Sequence, residues 1–273
     1  AAMLAAAGLP IYIHAPAVYA AQHGLSLAAL GLVLAALRLV DVVQDPALGW
    51  LAARVPRRAS VAVALSVMAA AMLGLFAFAP PLSPLLWFAL MLTALFTAWS
   101  FLTIVFYAEG TTAAAGAHLH LAGWREAGAG LGICLASVAP FALMPLTAAP
   151  YAGFAMGFAA LALVAGLAMR GQWRGGSLAP QGGLREVLAK PALRGLLLLA
   201  LVNAMPAAVT STLFLFFVQS QLQAPGTEGP LLLLFFAAAA LAAPFWTRVA
   251  HRHGTRRALL VAMILAILAF GFT

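Results

Sequence analysis

The chain consists of long apolar segments separated by short connectors that carry most of its polar residues. A helix needs about 20 mainly apolar residues to cross the hydrocarbon core of a bilayer, and most of these segments reach that length. The last segment would extend only about 24 Å at about 1.5 Å per residue, so we expect a helix that continues in a longer protein. The pattern predicts nine helices: 1–22, 27–53, 59–79, 85–108, 121–144, 150–169, 192–219, 230–250 and 258–273.

Composition supports a membrane location. Of the 273 residues, 65% are hydrophobic and only 7% are charged. So few charged residues cannot coat a water-exposed surface, and the exterior of the fold must face the lipid bilayer over most of its area. The formal net charge of +8 would suggest nucleic acid for a soluble protein. Here the basic residues lie in connectors and follow the orientation rule of membrane proteins, which argues against nucleic-acid binding.

The basic residues alternate between connectors. Every lysine and arginine except Arg38 lies in or next to the connectors after helices 2, 4, 6 and 8, and the other connectors contain none. The positive-inside rule assigns the basic connectors to the cytoplasm, and the N-terminus with them. We therefore predict a multi-pass protein of the cell membrane, in bacteria the inner membrane.

The connector after helix 6 predicts a division into two halves. It is rich in glycine and contains Pro180, which is typical of a flexible link. The stretch "GWLAARVPRRASVAVAL" after helix 2 also resembles "FWTRVAHRHGTRRALLVAM" after helix 8, although any cytoplasmic loop tends to be basic. We interpret the chain as about nine of the twelve helices of a monomeric transporter: an N-terminal half (1–170), a cytoplasmic linker (171–191) and an incomplete C-terminal half (192–273).

Helix 2 carries three charges in the stretch "RLVDVVQDPALGW", which covers residues 38–50. Each charge at the centre of a membrane costs about 2.5–3.5 kcal/mol on insertion scales. At about 100° per residue, Arg38, Asp41 and Asp45 lie on one face of the helix. This face is expected to turn towards the interior of the bundle or a water-filled cavity.

The two aspartates suggest a site for a cation or a proton. Carboxylates at positions i and i+4 can converge on one small cation or share one proton. Pro46 lacks an N–H group and leaves the carbonyl of Val42 without its helical donor, which provides a third hard oxygen. In the alternative, Arg38 and Asp41 form a salt bridge, Asp45 satisfies the kink and no ion binds. One arginine cannot neutralise two buried carboxylates, which favours the ion.

The same stretch carries a family resemblance. "RLVDVVQDPALGW" resembles the helix 2 signature of the glycoside-pentoside-hexuronide cation symporters, the melibiose-permease-like branch of the major facilitator superfamily. Similar matches are "LAGWREAGAGLG" in helix 5 and "LREVLAKPALRGLLLLALVNAMPAAVTSTLFLFFV" at the start of the second half. The resemblance covers essentially the whole chain and implies an all-α, polytopic membrane helix bundle of the major facilitator type, here truncated.

The resemblance also implies site residues. Asp41 and Asp45 correspond to the coupling-cation site, where Na⁺ or H⁺ would bind without any other cofactor. Gln44 and Ser100 stand where the family has an asparagine and a hydroxyl of helix 4, and both keep an oxygen acceptor. Tyr107 stands where the family stacks a sugar ring. The solute-binding set predicted for this chain is Arg125, Tyr107, Thr103, Arg38, Trp124 and Asn203. Asn203 belongs to it only as a polar group in the apolar helix 7, where it could instead bond a neighbouring helix.

The sequence departs from the family pattern at two places. Ala5 and Thr103 stand where sugar-transporting members have carboxylates, which argues against a disaccharide such as melibiose as the solute. In the basic turn after helix 2, Ala53 and Pro56 replace the usual acidic residue and glycine. The gating salt bridge of that turn is therefore expected to be weakened or absent.

These observations favour a secondary active transporter that couples a small polar, sugar-like solute to a cation by alternating access. An exporter or flippase of amphipathic molecules with the same fold remains an alternative. A membrane-bound prenyl-transfer enzyme is a weaker one, since D-x-x-x-D also occurs where magnesium holds a lipid diphosphate. That chemistry requires a second acidic cluster. The remaining acidic residues are scattered over different connectors: Glu109, Glu126, Glu186 and Glu228. We therefore predict no enzymatic activity.

Overall fold

The computed structural model describes residues 1–113, 118–173, 189–202, 221, 223 and 228–271. No strand occurs within these ranges, and the predicted all-α membrane helix bundle is confirmed. The helices are α1 (Ala2–His23), α2 (Leu27–Ala52), α3 (Arg57–Phe76), α4 (Pro84–Ala113), α5 (His118–Leu143), α6 (Pro150–Met169), α7 (Pro191–Val202), α8 (Glu228–His253) and α9 (Thr255–Gly271).

Local sequence explains where several helices begin and end. Gly24 ends α1 in the left-handed conformation with φ 65° and donates its N–H to the carbonyl of Ala20. Ser26 then caps α2, because its hydroxyl accepts the N–H of Ala29 at 3.2 Å. Gly254, with φ 85°, separates α8 from α9. These turns allow consecutive helices to reverse direction within a few residues.

Six of the described helices are long and apolar enough to cross a membrane, namely α2 to α6 and the stretch Leu233–His253 of α8. Large apolar side chains such as Leu39, Val43 and Leu163 remain mostly exposed on these helices. Exposing such an apolar surface to water is unfavourable, so these side chains must face lipid. The chain is therefore an integral, multi-pass membrane protein.

Helix α4 lies at the centre of the N-terminal bundle and contacts α1, α2 and α3. Its side chains Phe88, Leu92 and Leu95 are fully buried, as are Met68 and Met72 of α3. Helix α3 also packs against α6, and α1 packs against α5. Helix α2 has few buried residues and meets the bundle mainly through α4.

His14 joins α1 to α5 and α6. Its ring is buried, donates a hydrogen bond to the backbone carbonyl of Ala136, and lies 5.9 Å from the ring of Phe141 and 5.8 Å from that of Tyr151. Pro140 lies four residues after Ala136 inside α5 and has no N–H group to offer that carbonyl. His14 therefore satisfies an acceptor that proline leaves open, and it packs as a core residue.

Helices α5 and α8 form the most extensive contact between the predicted halves. The contact depends on Gly130, because a β-carbon there would lie 2.6 Å from the β-carbon of Ala240. Glycine lets the two backbones approach in a way that any side chain would prevent. The division into 1–170, 171–191 and 192–273 stays a prediction, and most of the linker lies outside the described residues.

Candidate functional site

Arg38 and Asp41 form an ion pair on α2, with Nη1 of Arg38 3.3 Å from Oδ2 of Asp41. The Asp41 side chain is only 18% exposed, whereas that of Arg38 is 56% exposed. The guanidinium carbon of Arg38 also lies 5.7 Å from the ring centroid of Phe96 in α4. Arg38 therefore bridges Asp41 to the neighbouring helix, as in the salt-bridge alternative drawn from the sequence.

Asp45 lies one turn after Asp41 and is exposed, and its charge acts electrostatically on Asp41. Helix α2 continues through Pro46 to Ala52, so the proline does not end it. Asp41 and Asp45 share this helix with one guanidinium, which pairs with Asp41, so one negative charge is left for a cation or a proton. No group of three His, Cys, Asp or Glu side chains converges in the described parts of the chain. Further ligands would have to be amide, hydroxyl or carbonyl oxygens, which suit a hard cation such as Na⁺.

Gln44 connects this face to α4. Its Oε1 accepts a hydrogen bond from the hydroxyl of Thr97 at 3.0 Å. Its Nε2 is buried and has no hydrogen-bond partner among the described residues. An unpaired amide nitrogen beside a carboxylate pair is costly unless a ligand completes it, so this amide is available to a bound group.

A line of polar side chains continues along α4 from Thr97. Ser100 is buried one turn further on, and the hydroxyl of Thr103 is buried without a hydrogen-bond partner in the described ranges. Tyr107 follows at the next turn. At about 100° per residue these four positions lie within about 120° of each other, and they span about 15 Å along the helix. Helix α4 thus presents a continuous polar stripe in an apolar bundle.

The far end of this stripe contacts α5 through Tyr107 and Arg125. The guanidinium carbon of Arg125 lies 4.0 Å from the ring centroid of Tyr107, within range of a cation–π interaction. Nε of Arg125 lies 3.8 Å from a carboxylate oxygen of Glu126, which is too long for a hydrogen bond, and this nitrogen is buried without a partner in the described structure. The guanidinium of Arg125 can donate hydrogen bonds to hydroxyl groups, and the ring of Tyr107 beside it can stack against a sugar-like ring.

Two residues of the predicted solute set lie elsewhere. Trp124 is 69% exposed, and its indole N–H donates to Nε2 of His120 at 3.1 Å on the same helix. The structure does not bring Trp124 to the pair formed by Tyr107 and Arg125. Asn203 lies outside the described residues.

An ion pair forms next to the basic turn between α2 and α3. Arg57, the first residue of α3, pairs with the carboxylate of Glu109 near the end of α4. The side chains are 12% and 18% exposed. The acidic partner comes from another helix, so this ion pair differs from the salt bridge of the turn itself, whose weakening by Ala53 and Pro56 stays a prediction.

Thr97 is a site residue that the sequence reasoning missed. Its hydroxyl stands three residues before Ser100, on the helix that already supplied Ser100, Thr103 and Tyr107. A search for further hydroxyl groups at helical spacing would have found it. Its contact with Gln44 depends on how α2 and α4 pack, which that spacing does not specify.

Comparison with protein families gives a match over the full length of the chain. The family described as "MFS/sugar transport protein" matches residues 1–273, which is the whole chain. Comparison with curated proteins found no match, nor did comparison with solved structures. The helical bundle, its membrane-spanning segments and the family match agree with the resemblance seen in α2 and α5. The chain belongs to the sugar-transporter family of the major facilitator superfamily, of the melibiose-permease type, and is a secondary transporter.

Proposed function

We propose that this transporter couples the movement of a small polar, sugar-like solute to that of Na⁺ or H⁺ by alternating access. The observation that carries the proposal is the unbalanced charge on α2. Asp41 and Asp45 together exceed the single positive charge of Arg38, in a segment that crosses the membrane. An exchangeable cation supplies the missing charge.

Asp45 is the carboxylate that carries the exchangeable cation in this proposal. Asp41 already has Arg38 at 3.3 Å, whereas Asp45 has only the repulsion of Asp41 as a neighbouring charge in the described structure. Loading Asp45 with a cation or a proton removes that repulsion and strengthens the pair between Arg38 and Asp41. The state of the cation site is thereby linked to the position of Arg38 against Phe96 of α4.

The polar stripe of α4 connects the cation site to the proposed solute site. Gln44 binds Thr97 at one end of the stripe, and Tyr107 lies against Arg125 at the other. The guanidinium of Arg125 would donate hydrogen bonds to solute hydroxyls, and Tyr107 would stack against the ring of the solute. Thr103 offers a buried hydroxyl between the two ends. A shift of α4 caused by the cation therefore changes the geometry at the solute.

We also propose that the basic connectors and the N-terminus face the cytoplasm. The turn after α2 contains Arg54, Arg57 and Arg58, and the end of α8 contains Arg248 and Arg252. The positive-inside rule supports this orientation. Membership in a transporter family favours transport over the prenyl-transfer alternative.

The test is uptake by the full-length protein in proteoliposomes, with an imposed Na⁺ or pH gradient and a panel of monosaccharides, glycosides and uronic acids. One gradient is expected to drive solute accumulation at least tenfold. Asp45→Asn should abolish accumulation, and so should Asp41→Asn. Glu126→Gln is the matched control, because its carboxylate is 60% exposed and makes only a long contact with Arg125.

Two outcomes would contradict the proposal. Uptake that responds to neither gradient and stops when the solute concentrations are equal on both sides would indicate a uniporter. Normal accumulation by both aspartate variants would reject the cation site. Gradient-driven transport of amphipathic molecules, with no sugar transported, would instead favour the exporter or flippase alternative.

A further inference from the structure

A groove of about 730 Å³ runs between α3 and α6, away from the polar stripe of α4. Its walls are apolar and formed largely by small residues, and a β-carbon at Gly166 would lie 3.0 Å from Cδ1 of Leu65. Leu163 and Leu167 on its rim are mostly exposed, as expected where a helix faces lipid. The wall residues include Ala62, Leu65, Ala69, Ala159, Ala162 and Gly166.

One end of this groove is basic. Arg58 at the start of α3 and Arg170 at the end of α6 both line it, and both are exposed. Arg58 uses one of its N–H groups, at Nε, to bind the backbone carbonyl of Trp173 at 3.0 Å. This contact holds the guanidinium of Arg58 beside Trp173, and its other N–H groups remain as possible donors. None of the described residues that line the groove is acidic.

Trp173 supplies a third donor at the same end. The residue is only 6% exposed and lines the groove, and its indole N–H is buried without a hydrogen-bond partner within the described ranges. A buried donor without an acceptor is unfavourable unless a bound group provides one. Two arginines and one indole N–H therefore line the same groove, where an anionic oxygen acceptor could satisfy them.

We propose that this groove binds an anionic phospholipid, with the phosphate at Arg58, Arg170 and Trp173 and an acyl chain along α3 and α6. Guanidinium groups bind phosphate oxygens in a fork that matches their geometry, and basic pockets between membrane helices bind anionic head groups. The apolar part of the groove lies between lipid-facing helices, where an acyl chain is the natural ligand. Phosphate and chain thus lie at opposite ends, as in a lipid that spans one leaflet.

Charge also argues against a segment of the chain as the occupant. The adjacent stretch 174–188 carries Arg174 and Arg185 against one acidic residue, Glu186. Its net positive charge would be repelled by Arg58 and Arg170. A phospholipid with a net negative charge is attracted instead.

The experiment measures lipid retention by the purified full-length protein in detergent, using native mass spectrometry. The probes are phosphatidylglycerol and phosphatidylcholine with the same acyl chains. The wild type should retain phosphatidylglycerol preferentially. The double variant Arg58→Gln with Arg170→Gln should lose this preference, with an affinity for phosphatidylglycerol reduced roughly thirtyfold.

Three further variants test the parts of the groove: one control outside it, one in its apolar part and one at its basic end. Arg54→Gln removes a basic residue of the same turn that lies 3.5 Å over the ring of Trp50 instead of in the groove, and it should bind lipid as the wild type does. Ala69→Leu narrows the groove and should weaken both lipids. Trp173→Phe keeps the ring but removes the N–H, and should weaken the binding of both lipids, since both carry the phosphate that would accept it. It tests the head-group end if the double variant does not fold.

Equal retention of phosphatidylglycerol by the wild type and the folded charge variants would overturn the proposal. An equal loss of phosphatidylglycerol binding in Arg54→Gln and in the double variant would also overturn the proposal, because the effect would then come from general surface charge. Displacement of the lipid by millimolar inorganic phosphate would indicate a phosphate site without a role for the acyl chain.

Discussion

His14 donates a hydrogen bond to the backbone carbonyl of Ala136, which Pro140 leaves without a donor inside α5. A carbonyl in the hydrocarbon region has no water to bind. When it lacks its helical N–H donor, another group of the protein must donate the hydrogen bond. Here a side chain of α1 donates it, and the aromatic rings around His14 exclude other partners. The proline of one helix and the histidine of another thus form one structural unit.

The first prediction concerns this unit. His14→Leu is expected to lower the free energy of unfolding by about 1 kcal/mol through the lost interhelical hydrogen bond, in addition to any loss of packing. Pro140→Ala restores an N–H group to α5, so the same histidine substitution should cost less in that background. A double-mutant cycle measured by denaturation in mixed micelles checks this. Strictly additive effects would contradict it.

The second prediction concerns the link between α2 and α4. Thr97→Val removes the hydroxyl that binds Gln44 at 3.0 Å and should reduce gradient-driven solute accumulation about tenfold, while Thr97→Ser retains it. Thr93→Val is the matched control. Thr93 lies one turn earlier, is exposed, and binds only the carbonyl of Ala89 in its own helix at 2.7 Å. Equal uptake by the two valine variants would reject a role for the contact between Gln44 and Thr97.

The third prediction concerns the solute site. Tyr107→Leu removes the aromatic face under Arg125 and should raise the KM for the transported solute about three- to tenfold, which corresponds to a cation–π and stacking contribution of about 1 kcal/mol. Tyr107→Phe keeps the ring and should have a smaller effect. Phe78→Leu, an exposed aromatic residue after α3, is the control. An unchanged KM in Tyr107→Leu would remove Tyr107 from the solute site.

The fourth prediction concerns the contact between α5 and α8. Gly130→Val would place side-chain atoms where the β-carbon position already lies 2.6 Å from Ala240, and should lower the free energy of unfolding by about 1–3 kcal/mol. Gly157→Val in α6 is the control, because a β-carbon there meets nothing within 4 Å. Chemical denaturation of both variants is the measurement. Equal stability would show that the glycine is not needed for close packing.

The sequence predicted the helices well because their signals are local. The predicted segment 150–169 coincides with α6, and 27–53 differs from α2 by one residue. Hydrophobic length and capping residues act within a few positions of each other. Helix α4 is the exception: it extends to Ala113 although the apolar segment was predicted to end at 108. This extension contains Glu109, which pairs with Arg57 of α3.

The sequence alone determined that Arg38, Asp41 and Asp45 share one face of a membrane helix, because helical periodicity is a property of consecutive residues. Only the tertiary structure decided which groups meet that face: Thr97 opposite Gln44, and Phe96 beside Arg38. It likewise decided that His14 reaches the carbonyl of Ala136, which Pro140 leaves without a helical donor. The physical reason is that the rotation and depth of one helix against another follow from the packing of many distant side chains, and no local pattern encodes that sum.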